Sequence, residues 1–290
     1  TLGYSIGRGV ALGKLYQYRI KMKSDAIFPL TRIIAGIVVL FLVVAFGILF
    51  FLPDQTGTLF AWAIKPHMSS MFFGSAYLGG AWILAQTAFG PRWHRVQAVF
   101  PAVTIFTTAT LVATLLHWER FSLGTIPFLA WLVLYIVSPF LIPALWIYNR
   151  NTDSHEPEES DVTVPTTARL ILRLFGGLVL LLVTICYLIP SLIIPIWPWE
   201  LTPLTARVLC GWLSVIGTLS LVNSFDPRWT SWRASFEGIF IAYSLIFVAA
   251  FMNPAEFKTG IINWYTLFTA GMLIAIVIFY GIMESRRRKR

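Results

Sequence analysis

The chain has 290 residues, of which 57% are hydrophobic and only 12% charged, with a formal net charge of +9. Soluble domains carry about a quarter charged residues, so the main body is not a soluble enzyme. Most Lys and Arg flank apolar runs, which argues for membrane topology and against nucleic acid as the partner. The two cysteines, Cys186 and Cys210, lie in apolar stretches and read as packed thiols.

In chain order, residues 1–30 form a basic segment with Leu12, Leu15, Tyr16, Ile20 and Met22 among the charges. It is expected to lie on inner-leaflet headgroups, with no signal-peptide cleavage pattern to remove it. Hydropathy then predicts spans near 31–52, 67–88, 97–117, 127–148, 169–189, 205–223, 234–252 and 264–283. None alternates like a lipid-facing β-strand, so all eight are predicted helices. Pro66 and Pro203 are placed to open the second helix of each half. Between the fourth and fifth spans, 151–168 carries Asp153, Glu156, Glu158, Glu159 and Asp161 with Pro157 and Pro165. It reads as a solvated, mobile cytoplasmic linker. Residues 285–290 are a basic tail.

The halves resemble each other. Phe89-Gly90-Pro91-Arg92-Trp93 returns as Phe225-Asp226-Pro227-Arg228-Trp229, 136 positions later, and Pro53, Trp62 and Pro66 return as Pro190, Trp199 and Pro203, 137 positions later. The expected fold is therefore an all-α integral membrane protein of eight transmembrane helices in two tandem four-helix repeats, 31–150 and 169–284. Four spans is an even number, so the repeats run parallel. The basic loops and tail fall on one side, which places both termini in the cytoplasm and the chain in the cytoplasmic (inner) membrane. Trp62, Trp118, Trp197, Trp199 and Trp264 are expected as an outer headgroup belt, and Trp93, Trp146, Trp229 and Trp232 as an inner one.

The centre of every span lacks Asp, Glu, Lys, Arg and His, which argues against a proton-coupled pump. Small residues one turn apart take their place: Ser70, Gly74, Ser75, Gly79 and Gly80 in the second span, and Cys210, Ser214 and Thr218 in the sixth. Such stripes let helices pack closely in lipid, within the chain or across a dimer seam. Thr107, Thr110 and Thr114 share one face of the third span, and Pro139 and Pro143 should kink the fourth beside a small polar cavity. At the polar ends, His94 and His155 are expected to be solvated. Arg233 and Glu237 stand at helical pairing distance. Arg92, Trp93, Arg228 and Trp229 are the duplicated residues suited to lipid phosphate or a cytoplasmic partner. His67 and His117 lie at comparable depth, and two imidazoles on neighbouring helices can hold haem b or a pigment.

No nucleophile elbow, zinc-protease, P-loop or dinucleotide motif is present. The expected role is a non-enzymatic scaffold, or a subunit that binds lipid or another apolar ligand in a homo- or hetero-oligomeric membrane complex. Two alternatives stay open: a facilitator or channel for a small neutral solute, and a redox subunit using His67 and His117.

Overall fold

The structure is a computed structural model that describes residues 24–290; the basic segment expected at the membrane surface lies almost wholly outside them. Among the described residues, eight long helices follow one another: α1 Pro29–Phe51, α2 His67–Phe89, α3 Val99–Leu116, α4 Ile126–Asn149, α5 Thr166–Leu188, α6 Pro203–Asn223, α7 Trp229–Met252 and α8 Trp264–Arg288. All but α2 are long and apolar enough to cross a membrane. The starts follow local chemistry. Thr125, Thr202 and Asn263 each accept a hydrogen bond from an N–H in the first turn of α4, α6 and α8, which satisfies donors that lack an intrahelical partner. The α7 helix begins five residues before its apolar run. Its first turn is polar because it sits in a hydrogen-bonded network, described below.

Packing orders the helices in two layers. The inner four are α2, α3, α6 and α7, in which α2 packs on α7 and α3 on α6. The outer four attach singly: α1 on α2, α4 on α3, α5 on α6 and α8 on α7. Each inner contact thus joins one half of the chain to the other. Sandwiched between α1 and α7, α2 exposes little surface, so it has least need of apolar residues.

The small-residue stripes serve these contacts. Ser70 Oγ donates to Leu49 O on α1 at 2.8 Å, and a Cβ on Gly74 would meet Phe50 N at 3.1 Å. One turn on, a Cβ on Gly79 would lie 2.4 Å from Gly238 O of α7, whereas one on Gly80 would meet only Leu42 Cδ1 at 3.7 Å. Ser75, Ser214 and Thr218 donate to carbonyls of their own helices, and Cys210 is buried. Ser70, Ser75, Cys210, Ser214 and Thr218 are enclosed within the chain.

Several expectations about the ends are corrected. Trp62, Trp197 and Trp199 at one end, and Trp93, Trp229 and Trp232 at the other, are buried, while Trp118 and Trp264 are exposed. The indoles plug the ends of the core instead of forming belts, packed among other aromatic rings, and three of them also find an internal acceptor for the N–H. Trp199 donates to Ser69 Oγ at 2.9 Å, Trp229 to Glu284 Oε1 at 2.8 Å and Trp232 to Asp226 O at 2.9 Å. The linker is not a free connector either. Asp153, Asp161, Val162 and Val164 are buried, and Val164 N donates to Pro227 O at 2.8 Å. Its carboxylates have found arginine and backbone partners, which hydropathy alone does not reveal.

Candidate functional site

Three features could carry function: a polar network at the Pro-Arg-Trp end, an acidic opening at the other end, and apolar cavities between the outer helices.

At the Pro-Arg-Trp end, a short extended strap precedes α1 and another precedes α5. Ala26 bridges to Arg92, and Thr163 to Arg228. Trp93 N donates to Asp25 O at 2.7 Å, and Trp229 N to Val162 O at 3.0 Å. His94 N donates to Asp25 Oδ1 at 3.0 Å, and Thr230 N to Asp161 Oδ1 at 3.1 Å. The same bonds thus form at both loops, 136 or 137 positions apart.

A buried chain then joins the two loops. Asp25 Oδ2 pairs with His94 Nδ1, His94 Nε2 lies 2.9 Å from Thr230 Oγ1, and that hydroxyl donates to Asp161 Oδ2 at 2.7 Å. His94 is therefore enclosed, 1% exposed, where solvation was expected; His155 has an exposed side chain. An acid–imidazole–hydroxyl order is the arrangement that activates a nucleophile. Here Thr230 is fully buried and its proton is committed to Asp161, so the chain ties the halves together and offers no nucleophile.

The two motif arginines differ sharply. Arg228 is buried, its fork spent on both oxygens of Asp153 at 2.8 and 2.7 Å and on Asp226 at 2.7 Å, so it keeps no face for a lipid phosphate. Burial pushes the Asp153 carboxyl up, but the bonds from Arg228 and from His155 N outweigh it and hold the group at about 2. Asp226 is likewise lowered against its burial, chiefly by Arg228. Glu158 is lowered by Arg95 in the same way. Arg92 is half-exposed, and its one ion contact among the described residues is a long one, Nη1 to Asp25 Oδ2 at 3.9 Å. Trp93 and Trp229, expected beside these arginines at the headgroups, are both enclosed.

Arg233 and Glu237 approach to 3.6 Å as their spacing suggested, within a wider set. Arg233 Nε lies 2.9 Å from Glu284 Oε1, while Glu237 accepts from Trp82 Nε1 at 3.0 Å and Tyr280 OH at 2.6 Å.

At the other end, an opening of about 540 Å³ is lined by Asp54, Lys65, His67, Glu200 and Glu256. Glu256, from the α7–α8 loop, caps α2: His67 N and Met68 N donate to its two oxygens at 2.9 and 2.7 Å. A carboxylate there also suits the positive end of the helix. The His67 ring contacts Asp54 at 2.8 Å. His117 instead accepts from Arg207 Nη1 at 2.6 Å, and burial and then Arg207 lower its pKa. No contact joins the two imidazoles among the described residues, and α2 and α3 are not an extensively packed pair. No group of three potential metal ligands occurs among the described residues.

No family model, curated protein or solved structure matches the chain. Function must therefore be read from the geometry.

The apolar cavities are unequal. One, between α1 and α4 over α3, measures about 70 Å³, with Phe106, Tyr135 and Trp212 among its walls. It adjoins Ser138 and Ile142, where Pro139 and Pro143 suggested a polar space, but its lining is mainly apolar. Tyr135 OH bonds Tyr77 OH at 2.9 Å. Thr107 and Thr114 donate to their own helix, at 2.8 Å each. The other cavity, between α5 and α8, measures about 330 Å³. Ile171, Phe175, Ile216, Phe236, Met272 and Phe279 line it, with Ser220 the single hydroxyl. Sequence gave no signal for it, because it arises where two outer helices fail to meet.

Proposed function

We propose that the chain is an eight-span protein of the cytoplasmic membrane, two tandem parallel four-helix repeats with both termini inside, acting as a non-enzymatic lipid-binding scaffold subunit. The apolar groove between α5 and α8 holds one acyl chain. The observation that carries this reading is the groove itself: about 330 Å³, walled by aliphatic and aromatic side chains, with its outer wall partly open. In hydrocarbon such a gap is filled by lipid, because an empty apolar space forfeits dispersion contacts along its whole lining.

Counting α2 as the eighth span is supported by its 23 residues and its place between α1 and α7, where it meets protein instead of lipid. The bonds that recur at the two Pro-Arg-Trp loops support the repeat, and the arrangement of Lys and Arg supports the orientation. Against the channel alternative, the space where α2, α6 and α7 meet is apolar, walled by residues such as Phe72, Trp212, Leu219 and Tyr243, and the α3 threonine hydroxyls are largely turned to their own helix. Against the redox alternative, His67 and His117 are engaged by different partners.

Native mass spectrometry of the protein released from its membrane tests the groove. Wild type should retain lipid, and Ala168→Phe and Ala275→Phe, which fill the groove from α5 and α8, should lower its occupancy several-fold without loss of folding. Equal retention in folded variants would overturn the groove reading. Solute movement by the purified chain in liposomes would overturn the scaffold role.

A further inference from the structure

A second, smaller pocket of about 240 Å³ opens between the end of α2 and the start of α7, and Arg92, Arg95, Arg233, Gln86, Trp82 and Glu237 are among its lining residues. Its arginines are in two different states. Arg95 is held by Glu158, with Nε 2.7 Å from Oε1 and Nη2 on the other oxygen. Arg233 is held by Glu284 at 2.9 Å and donates to Tyr280 OH at 3.3 Å. Both forks are fixed from behind. Arg92 is not: the Asp25 oxygen 3.9 Å away is already bonded to His94 Nδ1.

A guanidinium carries five N–H donors in a planar fork that fits two phosphate oxygens at once. With neither a hydrogen bond nor a short ion pair among the described residues, Arg92 keeps that capacity. The carboxylate in the pocket wall, Glu237, accepts from Trp82 and Tyr280 and has Arg233 as its ion partner at 3.6 Å, so its charge is offset by an arginine other than Arg92. The corresponding arginine of the other loop, Arg228, is closed by Asp153 and Asp226. Where Arg95 and Arg233 contribute charge, the matching positions hold Ser231 and Gln97. The pocket is therefore particular to one loop, which a merely topological arginine would not require. Trp82 and Phe89, exposed beside it, provide an apolar flank.

From this geometry we propose that the Arg92 pocket binds a phosphate group, with Arg92 making the direct contact and Arg95 and Arg233 supplying the surrounding positive field. It shares no residue with the α5–α8 groove and stands whether or not that groove holds lipid.

The test is a titration of the purified full chain, in a phosphate-free zwitterionic detergent, with dihexanoyl phosphatidic acid and separately with inorganic phosphate, followed by native mass spectrometry. Arg92→Gln should weaken binding at least about tenfold, the scale of losing a hydrogen bond to a charged group. Arg92→Lys, which keeps the charge but loses the fork, should fall between. Arg150→Gln removes an exposed arginine that lies over Trp146 and should bind as wild type does. Binding of both probes, each lost in Arg92→Gln, supports a site for phosphate from either source; binding of phosphatidic acid alone, lost in the same way, supports a lipid headgroup. Wild-type affinity in a folded Arg92→Gln variant, an equal loss in Arg150→Gln, or no binding of either probe would overturn the proposal.

Discussion

Gly79 and Gly80 are adjacent on α2, yet the structure predicts opposite outcomes for the same substitution. A Cβ on Gly79 would sit 2.4 Å from Gly238 O and 2.9 Å from Ala242 Cβ. The first of these is backbone in the middle of α7, so neither helix can yield by a rotamer change. Gly79→Ala must push α2 and α7 apart, and overpacking of this kind costs about 1–3 kcal/mol. Alanine's better helix propensity returns at most about 1 kcal/mol. On Gly80 the new methyl would touch only the end of Leu42, at 3.7 Å. Gly80→Ala should therefore be neutral, or stabilising by up to about 1 kcal/mol. Thermal unfolding in detergent, read by tryptophan fluorescence, would separate the two variants. Gly238→Ala should behave like Gly79→Ala, because its Cβ would meet Ile83 Cγ1 at 2.5 Å and Gly79 O at 2.7 Å. If Gly79→Ala and Gly80→Ala melt together, the close α2–α7 crossing is wrong, and with it the principal contact between the halves.

Other outcomes follow from the polar ends. Asp153 has its folded-state pKa held near 2, against an ordinary value of 3.8. It thus contributes stability, about 2 kcal/mol, that is complete above roughly pH 4 and lost as the pH falls through about 2. Asp153→Asn should abolish that part of the acid slope in pH-dependent unfolding, and an unchanged slope would refute the assignment. Arg228→Met should destabilise strongly, by about 3–5 kcal/mol, because it leaves two carboxylates without their shared cation; a variant as stable as wild type in denaturant titration would count against the buried pairing. Glu256→Gln should cost about 1 kcal/mol by weakening the cap of α2. Hydrogen exchange at His67 and Met68, whose amides donate to Glu256, should rise in that variant, and unchanged protection would show that the cap is dispensable.

Much of the fold was legible in the sequence. The helices begin and end within a few residues of their apolar runs because hydrophobic length and proline position are local properties. The largest departures are at the start of α7 and the end of α8, where Thr230, Ser231, Glu284 and Arg287 extend a helix beyond its apolar run. Their polar groups find partners in a network that hydropathy treats as water. The Pro-Arg-Trp motif of both loops was visible in the sequence. It could not show that Arg228 is sealed while Arg92 stays open, since the sealing carboxylate Asp153 lies 75 positions away in the linker. His94 looked solvated for the same reason: Asp25, Thr230 and Glu158 enclose it from three other segments.

The sequence by itself thus determined an all-helical chain, its apolar membrane-type helices and the placement of close-packing residues, because these depend on short-range periodicity and composition. Only the tertiary structure decided which helices meet. Two inner contacts, α2 with α7 and α3 with α6, join opposite halves, and the unmet pair α5 and α8 leaves the groove. Which of two similar arginines remains available was decided there as well. Lipid offers little preference among apolar faces, so partner choice rests on shape: a glycine against a carbonyl, a buried fork against two carboxylates.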